Sequence, residues 1–383
     1  MQCSKLFEEI DRLNAEYVKV WEDVCNIESP TDYKKGVDEV GNYLVKMAKH
    51  RGFDVDVLEQ PVSGNAICIT MNQQADAAPV CFSGHIDTVH PVGSFGTPAV
   101  KKDDKNRYGP GVYDCKGGVV ASMLAMEALK NCGFTSRTVK LIIQSDEETG
   151  SKGSNKKTVE FMCEKAKGAV AFLNAEVGKK DQLVLKRKGI LRYQFVVRGV
   201  AVHAAKCQEG ASAVTEAAHK IIELEKWKDG EGITCNCIII SGGTASNTVP
   251  DECVFQVDVR YSNTEEYNHI SKEIERVCNK TFVKGCSCTV TLESERPAMV
   301  ESEINYKLLD KINDIYKKVG FGEVKPAAAP GGSDAAYITE CGIPCVDSAG
   351  VIGANLHSPD EYAILDSLAE TAKKLAAVAF CIE

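Results

Sequence analysis

Two histidines and a set of carboxylates stand at equivalent places in five separate segments of this chain. His85 and Asp87 follow the apolar run Val80-Cys81-Phe82-Ser83-Gly84. Asp146, Glu147 and Glu148 follow Leu141-Ile142-Ile143-Gln144, and Glu176 follows Val170-Ala171-Phe172-Leu173. Asp114 ends the run Gly109-Pro110-Gly111-Val112-Tyr113, just before a helical stretch that opens at Gly117. His357 lies in a loop beyond a short apolar run ending at Asp347. Each group therefore follows a strand-like run or opens a helix. In open α/β sheets, ligands bind beyond the carboxyl ends of the strands. Five such segments would aim imidazoles and carboxylates at one edge, and that donor set suits zinc-type ions.

Two divalent ions about 3.5–4 Å apart need a shared anionic bridge. Asp114, short and held in a tight turn, is the natural bridge. His85 and Glu176 would complete one ion, and Glu148 and His357 the other. Asp87, two residues past His85, suits the role of orienting the imidazole. Glu147 neighbours a ligand but points elsewhere, so it can take the proton of a metal-activated water. Taken singly, a His-x-Asp pair, a Glu-Glu pair or an aspartate before a helix is a common surface or capping feature. The reading rests on their convergence.

These groups need elements to position them. Leu6, Ile10, Leu13 and Tyr17 recur at helical spacing within residues 5–52, with a break at Ser29-Pro30-Thr31 and a second helical stretch over 32–51. Strand-like runs cover 54–58, 65–71, 79–83, 139–144 and 169–174, with helices over 117–131 and 158–167. Continuous apolar strands alternating with helices predict a largely parallel sheet covered on both faces. Near Gly189 the texture changes. Strands over 191–199, 234–241, 252–262 and 287–293 and helices over 211–226 and 265–279 follow in the order β-α-β-β-α-β, the ferredoxin-like motif. After Arg296-Pro297 the α/β texture resumes, with helices over 303–319 and 365–382 and a short strand over 343–347. The expected organisation is a discontinuous metal-binding domain, 1–188 and 297–383, interrupted by a second domain over 189–296.

At 383 residues the chain is long enough for two domains. Its net charge of -9, with scattered Lys and Arg, shows no nucleic-acid footprint, so no nucleic-acid partner is expected. No apolar run approaches the roughly 20 residues that cross a bilayer, so no membrane association is expected. Residues 1–17 are charged and amphipathic and lack a signal-peptide core, which points to the cytoplasm. The 17 cysteines, odd in number and mostly in apolar runs such as those holding Cys68, Cys81, Cys253 and Cys345, read as small buried thiols.

The motifs carry a resemblance. Ser83-Gly84-His85-Ile86-Asp87-Thr88-Val89, Gly109-Pro110-Gly111-Val112-Tyr113-Asp114-Cys115-Lys116-Gly117-Gly118 and Asp146-Glu147-Glu148-Thr149-Gly150-Ser151 resemble the zinc aminoacylase/carboxypeptidase family. That family includes glutamate carboxypeptidase, acetylornithine deacetylase, succinyl-diaminopimelate desuccinylase and aminoacylase. Val202-His203-Ala204, Gly242-Gly243-Thr244-Ala245-Ser246-Asn247, Val257-Asp258-Val259-Arg260, Gly331-Gly332-Ser333-Asp334-Ala335 and His357-Ser358-Pro359-Asp360-Glu361 extend it, in order, over nearly the whole chain.

The resemblance implies a zinc-peptidase-like, mostly parallel sheet flanked by helices, with an inserted ferredoxin-like α+β domain that serves as lid and dimerisation module. It implies two Zn2+, with Co2+ or Mn2+ as alternatives, on the ligands named above, and a cis peptide at Asp114-Cys115. It implies that His203 stabilises the tetrahedral oxyanion, often across a homodimer, and that Asn247, Arg260, Gly331, Gly332 and Ser333 contact substrate. A planar guanidinium suits a substrate carboxylate. The expected substrate is a small peptide or N-acyl amino acid whose amide bond is hydrolysed. Glu176 resembles the carboxypeptidase and deacylase groups rather than the aminopeptidase relatives, and Asp146–Ser154 and Glu295-Arg296-Pro297 lean toward a glutamate-type carboxypeptidase, with an N-acyl amino acid deacylase as the alternative. Pro110, Cys115 and Ala204-Ala205 depart from the commoner family residues and bear on pocket shape. A non-catalytic dimeric scaffold would have lost ligands or base, and none is lost here.

Overall fold

The computed structural model describes residues 3–227 and 232–383; residues 1–2 and 228–231 of the expected domains lie outside that description. The chain divides into two compact units. The larger comprises Met1–Lys186, Glu301–Ala328 and Tyr337–Glu383, and the smaller Arg187–Val300 and Ala329–Ala336.

The larger unit is built on a six-stranded sheet. Its strands lie in the order Asp54–Leu58, Ala66–Met71, Arg137–Gln144, Ala77–His85, Ala171–Asn174, Cys345–Val346. The first two pairings are antiparallel and the remaining three parallel. This is the mostly parallel, helix-flanked sheet the apolar runs predict. Phe82, Leu141, Ile143 and Leu173 are wholly buried, as strands covered on both faces require. The Cys3–Asn26 helix buries Leu6, Ile10, Leu13, Tyr17 and Val24, one stripe at helical spacing. The Lys116–Asn131 helix is buried almost all round, which its composition of Val, Ala, Met and Leu allows. Cys68, Cys81, Cys253 and Cys345 are buried, as their apolar surroundings predict.

Two glycines let that central helix approach the sheet. A Cβ at Gly118 would lie 1.8 Å from the Ala175 carbonyl oxygen, and one at Gly84 would lie 2.8 Å from Val119 Cγ2. Only glycine permits the helix start, and so Asp114, to lie directly against the strand ends that carry His85 and Glu176.

A second, four-stranded sheet of very short strands was not legible in the sequence. It runs Gly353–Ala354, Tyr362–Ile364, Asn106–Tyr108, Lys101–Lys102. Tyr362 pairs with Tyr108, which draws the loop holding His357 alongside the segment leading to Asp114.

The smaller unit carries an antiparallel sheet in the order Thr234–Gly242, Glu252–Tyr261, Gly189–Arg198, Ser287–Arg296, with helices Ala213–Glu225 and Thr264–Asn279. Leu191, Phe195, Phe255, Val257 and Ile274 form its core. A buried pair, Lys220 and Glu216, links helix to loop: Lys220 Nζ donates to the carbonyls of Val277, Cys278 and Lys280, and Glu216 accepts from Phe282 and Val283 N–H. Residues 329–336 group with this unit because Gly332 packs on Arg296 and Ile190.

Candidate metal centre

Asp114 stands between two imidazoles. Its Oδ1 lies 3.1 Å from His85 Nε2, and its Oδ2 lies 3.2 Å from His357 Nε2. Glu176 Oε1 is 3.4 Å from the same nitrogen of His85, and Glu148 Oε2 is 3.3 Å from that of His357. All five groups named as ligands from the sequence therefore converge, in two clusters that share Asp114. His85, Asp114 and Glu176 are buried, whereas the His357 side chain is half exposed.

The spacing can be tested against a metal. One imidazole N–H cannot satisfy two carboxylates that face the same nitrogen, but a cation can. Donors about 2.0–2.1 Å from a tetrahedral ion stand about 3.3–3.4 Å apart. The 3.1–3.4 Å separations match the edges of such a polyhedron. Two imidazoles, one shared carboxylate and two terminal carboxylates thus fit a pair of divalent ions, and the N/O donor set suits zinc.

The electrostatics agree. Hydrogen bonds to Asp114 and Glu148 raise the His357 imidazole to about 10. Burial opposes charge on His85, yet the surrounding anionic groups, Glu176, Asp114 and Asp87 among them, hold it well above its ordinary range. Burial likewise opposes the Asp114 carboxylate, and the two imidazoles outweigh it and hold it well below the usual range. Glu148 is pushed up to about 7, chiefly by burial and also by the nearby Asp114 charge. A site that concentrates this much negative charge around two imidazoles is built for cations.

Each donor is fixed by its own element. His85 ends the Ala77–His85 strand. Glu147 and Glu148 open a single 3-10 turn, Glu147–Thr149, after the Arg137–Gln144 strand. Ala175 N–H donates to Ser83 O and ties the Glu176 turn to its neighbour strand. His357 has φ 59, a left-handed conformation set in the turn of the short hairpin. The Asp114-Cys115 peptide is cis, as the resemblance implies. Cys115 Sγ accepts the His85 N–H at 3.0 Å, and burial pushes its thiol up.

Asp87 does more than the sequence suggests. Its Oδ1 is 3.4 Å from His85 Nδ1, but that nitrogen lies nearer, at 3.0 Å, to Asp87's own carbonyl. The carboxylate instead accepts the backbone N–H groups of Glu147 and Glu148 at 3.2 and 3.1 Å. Burial opposes its charge, and hydrogen bonds and charge from His85, followed by those from Thr31 and Glu148, leave it below its usual range.

The other sequence-named residues lie in the smaller unit. His203 is exposed, bridges to Thr248, and its Nδ1 accepts the Ala205 N–H. Asn247 is close by, its carbonyl accepting from Ala204 N–H. Arg260 is half-buried and doubly hydrogen-bonded to Asp258 on its own strand, Nε at 2.6 Å and Nη2 at 3.1 Å. Gly331 accepts from Arg187 Nη1, and Ser333 is buried.

Sequence reasoning missed four residues. Glu361 supports the Asp114 peptide, with His90 donating to its carboxylate. Arg187 and Arg296, buried guanidiniums, flank the Gly331–Ser333 loop. Glu361 stood inside the His357-Ser358-Pro359-Asp360-Glu361 motif, and Arg296 inside Glu295-Arg296-Pro297, so position was a signal even though burial was not.

Comparison with known proteins agrees with this geometry. The chain is 29% identical over 348 residues to carboxypeptidase G2 of Pseudomonas sp. (strain RS-16), covering 89% of this chain and 83% of that protein. It is 21% identical over 373 residues to succinyl-diaminopimelate desuccinylase of Rickettsia felis, covering 92% and 96%. The crystal structure of aminopeptidase PepT from Bacillus cereus shares the fold, with a TM-score of 0.77, 21% identity and coverage of 96% and 98%. The profile of peptidase family M20/M25/M40 matches residues 81–380. That span holds every residue of both donor clusters, and the chain therefore belongs to peptidase family M20/M25/M40 and is a metal-dependent hydrolase.

Proposed function

We propose that the protein is a two-zinc carboxypeptidase that releases a C-terminal amino acid, glutamate foremost, from a peptide or N-acyl substrate. The observation that carries this reading is the pair of donor clusters sharing Asp114. The similarity to carboxypeptidase G2 supports the substrate class. So do the buried Arg187 and Arg296 beside the Gly331–Ser333 loop, since a guanidinium matches a carboxylate in two hydrogen bonds.

When bound, the two ions would lower the pKa of a water and polarise the scissile carbonyl. His85, Asp114 and Glu176 would hold one ion, and Asp114, Glu148 and His357 the other. Glu147, buried beside Glu148, would accept the proton of the attacking water and pass it to the leaving amine. His203 would stabilise the oxyanion, Asn247 and Arg260 would contact the substrate, and Gly331, Gly332 and Ser333 would let it approach the backbone closely. In this reading the smaller unit acts as lid and as the dimerisation module of a homodimer.

The similarity to succinyl-diaminopimelate desuccinylase favours a second reading, an N-acyl amino acid deacylase. Zinc-loaded protein offered N-benzoyl-L-glutamate, its α-amide and N-acetyl-L-ornithine separates the two. The carboxypeptidase reading expects release of glutamate, with the α-amide at least about tenfold slower because it cannot pair with a guanidinium. Turnover of N-acetyl-L-ornithine alone would overturn it in favour of the deacylase.

A further inference from the structure

We propose that Thr31 is a positioning residue for Glu147 and Glu148, acting through the carboxylate of Asp87. The proposal rests on the two-ion reading of the site.

Asp87 is fully buried, and its oxygens are shared among several donors. Oδ1 receives Glu147 N–H and Oδ2 receives Glu148 N–H. The shortest contact is from Thr31, whose Oγ1 donates to Oδ2 at 2.7 Å. A carboxylate can accept several such bonds, and each further donor narrows its orientation. The His85 ring lies nearer the Asp87 carbonyl, at 3.0 Å, than its Oδ1, at 3.4 Å, and the carboxylate also holds the Glu147–Thr149 turn.

Thr31 is itself anchored. Thr31 N–H donates to Thr88 O, Thr88 N–H donates to Ser29 O, and Ser29 Oγ donates to Ile86 O. Pro30 pairs with Thr88 and has its φ fixed by its ring. A β-branched side chain is stiff at χ1, so the hydroxyl is presented in one direction. Upstream, Lys116 Nζ donates to the carbonyls of Val24 and Ile27 and pins the approach to this segment. The Ser29-Pro30-Thr31 break, a mere helix interruption in the sequence, is thus a strut laid along Ile86–Thr88. Without the hydroxyl, Oδ2 loses its shortest bond, the carboxylate can turn, and the two peptides that hang from it turn with it.

Supporting partners of metal ligands typically change metal affinity or activity 10–100-fold when removed. The test compares wild type, Thr31→Val and Thr31→Ser by competitive Zn2+ titration against a chelating dye, with kcat and KM on N-benzoyl-L-glutamate. Thr31→Val is expected to weaken the looser of two zinc ions at least about tenfold. It should lower kcat by a similar factor with KM within about twofold, because an interaction that matters only in the transition state moves kcat. Thr31→Ser, which keeps the hydroxyl, should restore both to within about threefold, and the metal-free proteins should melt together. If the valine variant does not fold, Thr31→Ala removes the same hydroxyl with less bulk. A folded Thr31→Val or Thr31→Ala protein that binds both zinc ions as wild type does overturns the proposal. If wild type leaves N-benzoyl-L-glutamate intact, the substrate reading fails, and the zinc titration still decides the role of Thr31.

Discussion

The Glu361 carboxylate accepts the backbone N–H of Asp114 at 3.0 Å, so the loop that carries His357 also holds the peptide of the residue common to both donor clusters. Its other contacts point the same way. It accepts from Tyr113 N–H at 2.9 Å, from Gly111 N–H at 3.3 Å and from His90 Nε2 at 2.9 Å, and it is 1% exposed. Glu361→Gln should therefore be costly. One carboxylate oxygen becomes an NH2 that faces other donors, and a buried donor left unpaired costs on the order of 1–3 kcal/mol. The expected outcome is a lower Tm in metal-free protein together with zinc affinity reduced about 10–100-fold. A Glu361→Gln protein with wild-type melting and wild-type zinc titration would show that this carboxylate does not organise the site.

The role proposed for Glu147 separates catalysis from metal binding. It is buried within the turn that presents Glu148 but belongs to neither donor cluster. Glu147→Gln keeps the size and removes the proposed base. A positioned general base contributes about 10²–10⁴-fold, so turnover should fall by at least about 100-fold. Two zinc ions per chain should remain, measured by elemental analysis after gel filtration. An active Glu147→Gln enzyme would refute the assignment.

Much of this candidate site was legible in the sequence because its proposed ligands sit where apolar runs end. Val80–Gly84 must be a buried strand, so His85 must emerge at its carboxyl end, and the same logic places Glu148 and Glu176. The rest depends on information that spacing does not carry. Strands of two or three residues, such as Gly353–Ala354 and Asn106–Tyr108, show no periodicity, so the hairpin that brings His357 to Asp114 was invisible. Two of the partners of the Asp87 carboxylate are backbone N–H groups some 60 residues away, which any residue type could supply. Burial of Arg187 and Arg296 is equally unreadable, since arginine is usually exposed. The Asp258–Arg260 pair was within reach, because residues two apart on a strand share a face.

The smaller unit offers a test of assembly. Thr234–Gly242 is an edge strand of its sheet, and Ile238, Ile239 and Ile240 are 45%, 56% and 53% exposed. Isolated proteins rarely leave a run of isoleucines bare along an unpaired edge, since such an edge recruits another strand. The homodimer reading expects a native mass twice the 41.5 kDa chain at micromolar concentration. A double substitution, Ile239→Lys with Ile240→Lys, should give monomer with unchanged circular dichroism. A wild-type protein that sediments as monomer would refute dimerisation.

Metal loading should release protons. In the metal-free protein His357 titrates near 10, because Asp114 and Glu148 favour its charged form, and His85 is also held well above its ordinary range. The His357 imidazole then carries a proton at pH 8, whereas an unperturbed imidazole with a pKa of about 6.5 would not. A ring nitrogen must lose its proton to bind zinc, so binding expels it. The sign follows: raising the pH removes the competing proton, and apparent zinc affinity should climb from pH 7 toward 10. The same raised pKa means that the His357 contribution to metal-free stability is present below about 6.5 and is lost as the pH rises through about 10. Calorimetry of zinc binding at pH 8 in buffers of different ionisation enthalpy should report at least about one proton released per chain, from His357. Zero release would mean that the His357 imidazole is already neutral, and that Asp114 and Glu148 do not act on the ring as the geometry requires.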